Sequence, residues 1–120
     1  LTKEFPFEDA MAEIIIADLS LHYFDDDTTK NILNEIKRVL KNGGYLIARV
    51  NTINDANFNA GNGEEIERHF YLTKYGYKRF FDYEDVQRYF GVFEIEKIEE
   101  TVMNRYGDDK KCFEVLCRNV

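Results

Sequence analysis

The sequence predicts an α/β domain of parallel strands closed by an antiparallel hairpin, and three observations predict it. Ile14-Ile15-Ile16-Ala17 is a short continuous apolar run, the pattern of a strand buried on both faces. Ile32, Leu33, Ile36, Val39 and Leu40 then recur at i, i+1, i+4, i+7 and i+8, a helical stripe that leads into a second apolar run, Tyr45–Val50. The last quarter of the chain holds two strand-like segments joined by a glycine-containing turn.

Each element has its own local cause. Glu13–Leu19 forms the first strand, and Asp25-Asp26-Asp27-Thr28 supplies an N-cap for the helix after it. Asn42-Gly43-Gly44 is expected to end that helix, because glycine enters the left-handed region without steric cost. Strand, helix and strand with short joints make a parallel, right-handed βαβ unit. A second helix opens at Asp82, with Asp85 placed to complete a capping box and Phe81 to staple onto Val86. Val86, Tyr89 and Phe90 form its apolar face, and Gly91 stops it. The closing strands run over Phe93–Met103 and Lys111–Arg118. The predicted order is β-α-β-lid-α-β-β in one domain, residues 1–120.

Between the second strand and the second helix, residues 51–80 read as one long loop. Such loops are usually lids or binding loops. Asn51, Asn54, Asn57, Asn59, Gly61, Asn62 and Gly63 fill its first part, and Glu64–Phe70 suits one or two helical turns. Its end, Tyr71–Phe81, interleaves Lys74, Lys78 and Arg79 with aromatics. That composition suits a substrate lid whose cations attract an anionic small molecule. Nucleic acid fits less well, since the chain carries a net charge of −7.

With 44% hydrophobic and 32% charged residues the 120-residue chain has a globular balance. It has no run of about 20 apolar residues that would span a membrane, and a cytoplasmic protein is expected. Cys112 and Cys117 are five apart in one strand. They fall on opposite faces and are expected to be reduced core thiols.

Several segments resemble the class I S-adenosylmethionine (SAM)-dependent methyltransferases. Phe5-Pro6-Phe7-Glu8-Asp9 resembles the L-P-F-x-D stretch before that family's fourth strand, and Ile14–Phe24 resembles the strand with its L-x-L-H-x-F turn. Ile36–Gly44, reading I-K-R-V-L-K-N-G-G, resembles the E-I-x-R-V-L-K-P-G-G signature, with Asn42 in place of the usual proline. Gly61–Phe70 and Arg79-Phe80-Phe81 are similar to pieces of tellurite-resistance-type, small-molecule members. The resemblance spans essentially the whole chain and implies the C-terminal half of a Rossmann-like sheet. The family's Gly-rich loop and its ribose-binding acidic residue have no counterpart here.

The resemblance also implies a site. SAM is the implied cofactor, with Asp18, Leu19 and Ser20 facing its methionine moiety and Leu1 beside its adenine. His22 is a candidate general base or substrate contact, since imidazole titrates near neutral pH. Tyr71, Lys78 and Arg79 are candidate contacts to a small-molecule substrate. No metal is expected, because the Asp25–Asp27 run lacks the glycine and distal glutamate of a calcium loop. The Glu13–Leu19 strand, left at a sheet edge, would pair with a copy of itself or with an N-terminal-half partner. The competing expectation is a non-catalytic dimerisation or regulatory module that does not bind SAM alone.

Overall fold

In a computed structural model, which describes residues 7–55, 63–105 and 107–120, β1 (Ala12–Asp18) runs parallel to β2 (Leu40–Asn51). The two are joined through α1 (Asp26–Val39). The cap of α1 forms as the sequence predicts, Asp25 Oδ1 accepting from the Thr28 amide at 2.8 Å. The helix ends earlier than expected, however. Leu40 is already extended and buried, and β2 begins there rather than after Gly44. Residues 41–44 are accommodated as a register shift between Ala12↔Leu40 and Ile14↔Tyr45, with Gly43 at φ +83°.

β6 (Glu94–Arg105) and β7 (Asp108–Arg118) form the expected hairpin, Arg105 opposite Asp108 and Gly107 at φ +84° in the turn. The hairpin folds back so that β7 lies between β2 and β6, antiparallel to both, giving the sheet order β1-β2-β7-β6. Cys112 and Cys117 are free and buried. Cys117 joins the main core, whereas Cys112 sits beside Thr101 Oγ1 at 3.4 Å.

Both helices cover the same face of this sheet. Ile32, Leu33 and Ile36 of α1 and Val86, Tyr89 and Phe90 of α2 (Tyr83–Phe90) pack on Ala17, Leu46, Ala48, Val50, Val115 and Cys117. The expectation that β1 is buried on both faces is therefore corrected. Ile14 and Ile16 are 58% and 69% exposed, and Ile16 pairs side by side with the exposed Ile47. An apolar run does not tell a strand how many of its faces will be covered. α2 carries the expected capping box, with Asp82 and Asp85 each accepting from the other's backbone amide, and Gly91 caps its end.

The segment expected to form a lid differs most from expectation in its secondary structure. Glu64–Phe70 is not helical. β3 (Glu64–Glu67), β4 (Phe70–Thr73) and β5 (Gly76–Arg79) form a separate three-stranded antiparallel sheet. The β-favouring residues Phe70, Tyr71, Leu72 and Tyr77 pair across a tight turn at Lys74-Tyr75 and outweigh the weak helical pattern. Gly76, at φ +106°, and Thr73 Oγ1, which accepts from the Tyr75 amide at 3.1 Å, set that turn. Asn57, Asn59, Gly61 and Asn62 lie outside the described residues.

The small sheet is tied to the carboxyl end of the parallel pair. Its exit strand donates from Arg79 N to the His22 carbonyl at 2.7 Å and from Phe81 N to the Asn51 carbonyl at 2.8 Å. Thr52 and Phe81 form a parallel bridge, continuing the β2 ladder past the last β1 pair, Asp18↔Arg49.

Candidate active site at the carboxyl end of β1

Ligands of open α/β sheets bind outside the carboxyl ends of the strands, and here that end is formed by Asp18, Leu19 and Ser20. The Asp18 carboxylate is turned onto β2. Its two oxygens accept from Arg49 Nε and Nη2, both at 2.6 Å, which holds the guanidinium pKa above its ordinary value. Leu19 follows at φ +54°, its amide bonded to the Arg49 carbonyl at 2.9 Å. A branched residue in the left-handed region is uncommon and costs of order 1–2 kcal/mol. Strain of this kind clusters at ligand sites. The sequence reading of Leu1 beside the adenine lies outside the described residues.

The remaining predicted residues divide between places. His22 is buried, with its ring centroid 4.4 Å from that of Tyr23. Tyr71 and Lys78 pair directly across β4 and β5 and so share one face of the lid. Burial and the neighbouring Glu65 raise the Tyr71 hydroxyl pKa, and its ring meets Phe80 edge-on.

Arg79 lies on the opposite face with Phe70 and Tyr77, and it corrects the expectation of a cation waiting for an anionic substrate. It is 2% exposed. Its Nε donates to the Phe24 carbonyl at 3.1 Å, Nη1 to the Arg68 carbonyl at 3.1 Å and Nη2 to Glu67 Oε1 at 2.5 Å. The guanidinium also stacks between Phe70 and Tyr89, 4.9 and 5.3 Å from their centroids. It is a clamp joining the lid to both helices.

Two features have no counterpart in the sequence reading. The first is a cleft of about 410 Å³ between the lid and the start of α1, lined by Tyr23, Phe24, Asp25, Thr28, Ile66, Glu67, Phe70 and Tyr77. The second is the group His69, Asp82 and Asp85, the three that among the described residues bring possible metal-ligand atoms within 4.8 Å of one another. Its oxygens already serve the α2 capping box, His69 Nδ1 at 2.5 Å from Asp85, and Arg68. The group therefore works as a protein ion network. Residues remote in sequence meet at both features, and neither follows a local motif.

The Asp25–Asp27 run also acts on α1. Asp25 caps the helix, and Asp26 holds Tyr89 Oη at 2.6 Å, Arg88 at 2.9 Å and Lys30 at 2.9 Å. The Tyr89 hydrogen bond is the largest cause holding the Asp26 pKa well below its ordinary 3.8, and the cationic neighbours add to it. A depressed carboxylate stabilises the fold fully above its unfolded value and loses that stabilisation as pH falls toward the folded one. Thermal unfolding should therefore move to lower temperature as pH drops below about 4. Tyr89→Phe should lower the melting temperature at pH 7 and flatten its further decline below about pH 3, because the Asp26 carboxyl then protonates at higher pH. An acid decline as steep as that of the unsubstituted chain would contradict the coupling.

Comparison with known proteins bears on the fold. A family model described as a methyltransferase domain matches residues 2–48. A SAM-dependent methyltransferase from Methanosarcina mazei superposes with a TM-score of 0.81 at 18% identity, covering 97% of this chain and 63% of that one. A protein from Pyrococcus horikoshii superposes at 0.74 with 15% identity, covering 97% and 55%. The 1,6-didemethyltoxoflavin-N1-methyltransferase of Burkholderia thailandensis, with bound 1,6-didemethyltoxoflavin and S-adenosylhomocysteine, does so at 0.68 with 15% identity, covering 93% and 45%. No curated protein matches the sequence. The chain thus spans roughly half to two-thirds of the length of these neighbours. With residues 2–48 matching a methyltransferase domain and the strand order closing on an inserted antiparallel β7, the chain has the fold of the class I SAM-dependent methyltransferases.

Proposed function

We propose that this chain is the C-terminal, substrate-side part of an enzyme that transfers a methyl group from SAM to a small-molecule nucleophile in the cytoplasm. The observation that carries the reading is the left-handed Leu19 at the carboxyl end of the parallel strand, beneath a lid sheet tied to the same end. The backbone of Leu19 and Ser20 would border the methionine moiety of the cofactor, and Asp18 fixes the strand end through Arg49. The Gly-rich loop that would hold the rest has no counterpart in the sequence.

SAM supplies an electrophilic methyl group on a sulfonium. The tasks of this chain are to position the nucleophile in line and to exclude water, since methyl transfer gains most from alignment. His22 is assigned to the substrate side, with the three-stranded sheet as the lid and its Phe70–Tyr77 face toward the substrate. The β1 edge, with Ile14 and Ile16 exposed, is assigned to an N-terminal-half partner that extends the sheet.

Titration with S-adenosylhomocysteine, followed by amide NMR shifts, tests the reading. With one side of the site present, binding in the millimolar range is expected, with shifts concentrated at Leu19, Ser20 and Leu21. No shift there at about 10 mM ligand would overturn it. If the chain then also proved dimeric through β1, the second reading, a non-catalytic dimerisation module, would gain the argument of that exposed edge.

A further inference from the structure

We infer that the cleft between the lid and the N-terminus of α1 takes a cationic ligand with an apolar body, such as a protonated aryl-alkyl amine. The inference rests on the methyl-transfer reading for its meaning, the ligand being the methyl acceptor or its amine-bearing portion. Its physical basis is separate from that reading.

The cleft volume of about 410 Å³ is that of a small-molecule site. Its walls are aromatic and aliphatic. Tyr23, Ile66 and Tyr77 are all about half exposed, at 47%, 49% and 50%. An unusual amount of apolar side chain is thus held open to solvent in one concavity. Tyr77 stacks on Phe70 at 5.5 Å and 17°, so its ring is held flat as a wall of the cleft. Aromatic faces carry negative quadrupoles and attract cations.

The charges point the same way. The charged side chains that line the cleft, among the described residues, are Asp25 and Glu67. Glu67 is partly balanced from behind, since Oε1 accepts from Arg79 and from the Asp26 amide at 2.6 Å. Asp25 uses Oδ1 to cap α1, leaving Oδ2 for a ligand. That cap also occupies the helix N-terminus, which would otherwise favour an anion.

The cations once expected to meet a substrate are placed elsewhere. Lys78 is on the opposite lid face, Lys74 lies 5.0 Å over the Tyr75 ring, and Arg79 is buried in its clamp. An anion entering the cleft would meet two carboxylates and the faces of aromatic rings.

The test compares 2-phenylethylamine, 2-phenylethanol and 3-phenylpropionate as probes of the 120-residue chain, followed by amide and tyrosine-ring NMR shifts. The amine should bind about tenfold more tightly than the alcohol, and the carboxylate more weakly than either. Shifts should map to residues 23–28 and 66–77. Tyr77→Leu should lower amine affinity about fivefold. Asp25→Asn should do the same, and asparagine retains the helix cap, so the fold is kept. Equal or tighter binding of the alcohol or carboxylate would overturn the proposal. So would shifts outside the cleft, or unchanged affinity in both variants. The S-adenosylhomocysteine shifts at Leu19–Leu21 read the methyl-transfer proposal independently, so either can fail without the other.

Discussion

Asp55→Ala is expected to lower the unfolding free energy by about 3–5 kcal/mol, because it removes the ion-pair partner of a buried ammonium. Lys110 Nζ lies 2.6 Å from Asp55 Oδ2 and 2.7 Å from Asn51 Oδ1, and the second Asp55 oxygen accepts from the Lys111 amide at 2.9 Å. The side chains of Lys110 and Asp55 are 7% and 0% exposed. A pair this buried gives little net stability when intact, but removing Asp55 takes its nearest carboxylate away from a charge that stays buried. The charge-free double variant Asp55→Ala/Lys110→Met should therefore recover at least half the loss. Urea denaturation measures both, the midpoint falling at unchanged slope. A loss below about 1 kcal/mol would show that water reaches the pair. Asp55 also follows Asn51 and Thr52 at the carboxyl end of β2, where Thr52 and Asn54 both donate to Glu100 at 2.6 and 2.9 Å. The variant should thus loosen the floor on which Phe81 and the lid are seated.

Arg79→Met should cost about 3 kcal/mol and act locally. The guanidinium links Phe24 in the loop before α1, the Arg68 carbonyl in the β3–β4 turn and Glu67 in β3, so it holds the lid to the helices. Methionine fills much of the volume but takes a donor from the Phe24 and Arg68 carbonyls and the cation from Glu67. Arg79→Lys should rescue little, since one ammonium cannot reach three acceptors in a fixed plane while stacking between two rings. Amide hydrogen exchange separates a local from a global effect. Protection of β4 and β5 should fall about 100-fold more than that of β2 and β7. Equal losses in the two sheets would mean that Arg79 supports the whole fold.

The parts of the fold that the sequence disclosed are those with local causes. The Asp25 cap, the Asp82/Asp85 capping box, the α1 stripe and the Gly107 turn each depend on residues within a few positions of one another. The lid was misjudged for the complementary reason. Glu64–Glu67 becomes a strand only because Phe70–Thr73 is there to pair with it, and the helical pattern in this stretch was too weak to oppose that pairing. The site residues follow the same division. The strand end at Asp18, Leu19 and Ser20 is legible in the sequence because it is a local feature, and Leu19 sits there in a left-handed backbone. Arg79 was misread because nothing near it in sequence reveals that Phe24, Glu67 and Tyr89 will surround it.

By itself the sequence determined the elements outside residues 51–80, their order, the parallel βαβ unit with its closing hairpin, and the position of the first strand's carboxyl end. Only the tertiary structure decided which sheet face is covered, that the long connection is a sheet, that Arg79 is consumed in a clamp, and that a carboxylate-edged aromatic cleft forms between that sheet and the start of α1. The physical reason is range. Caps, turns and hydrophobic periods are energies of neighbouring residues, whereas burial, pairing partners and the sign of charge in a cleft arise between segments that only folding brings together.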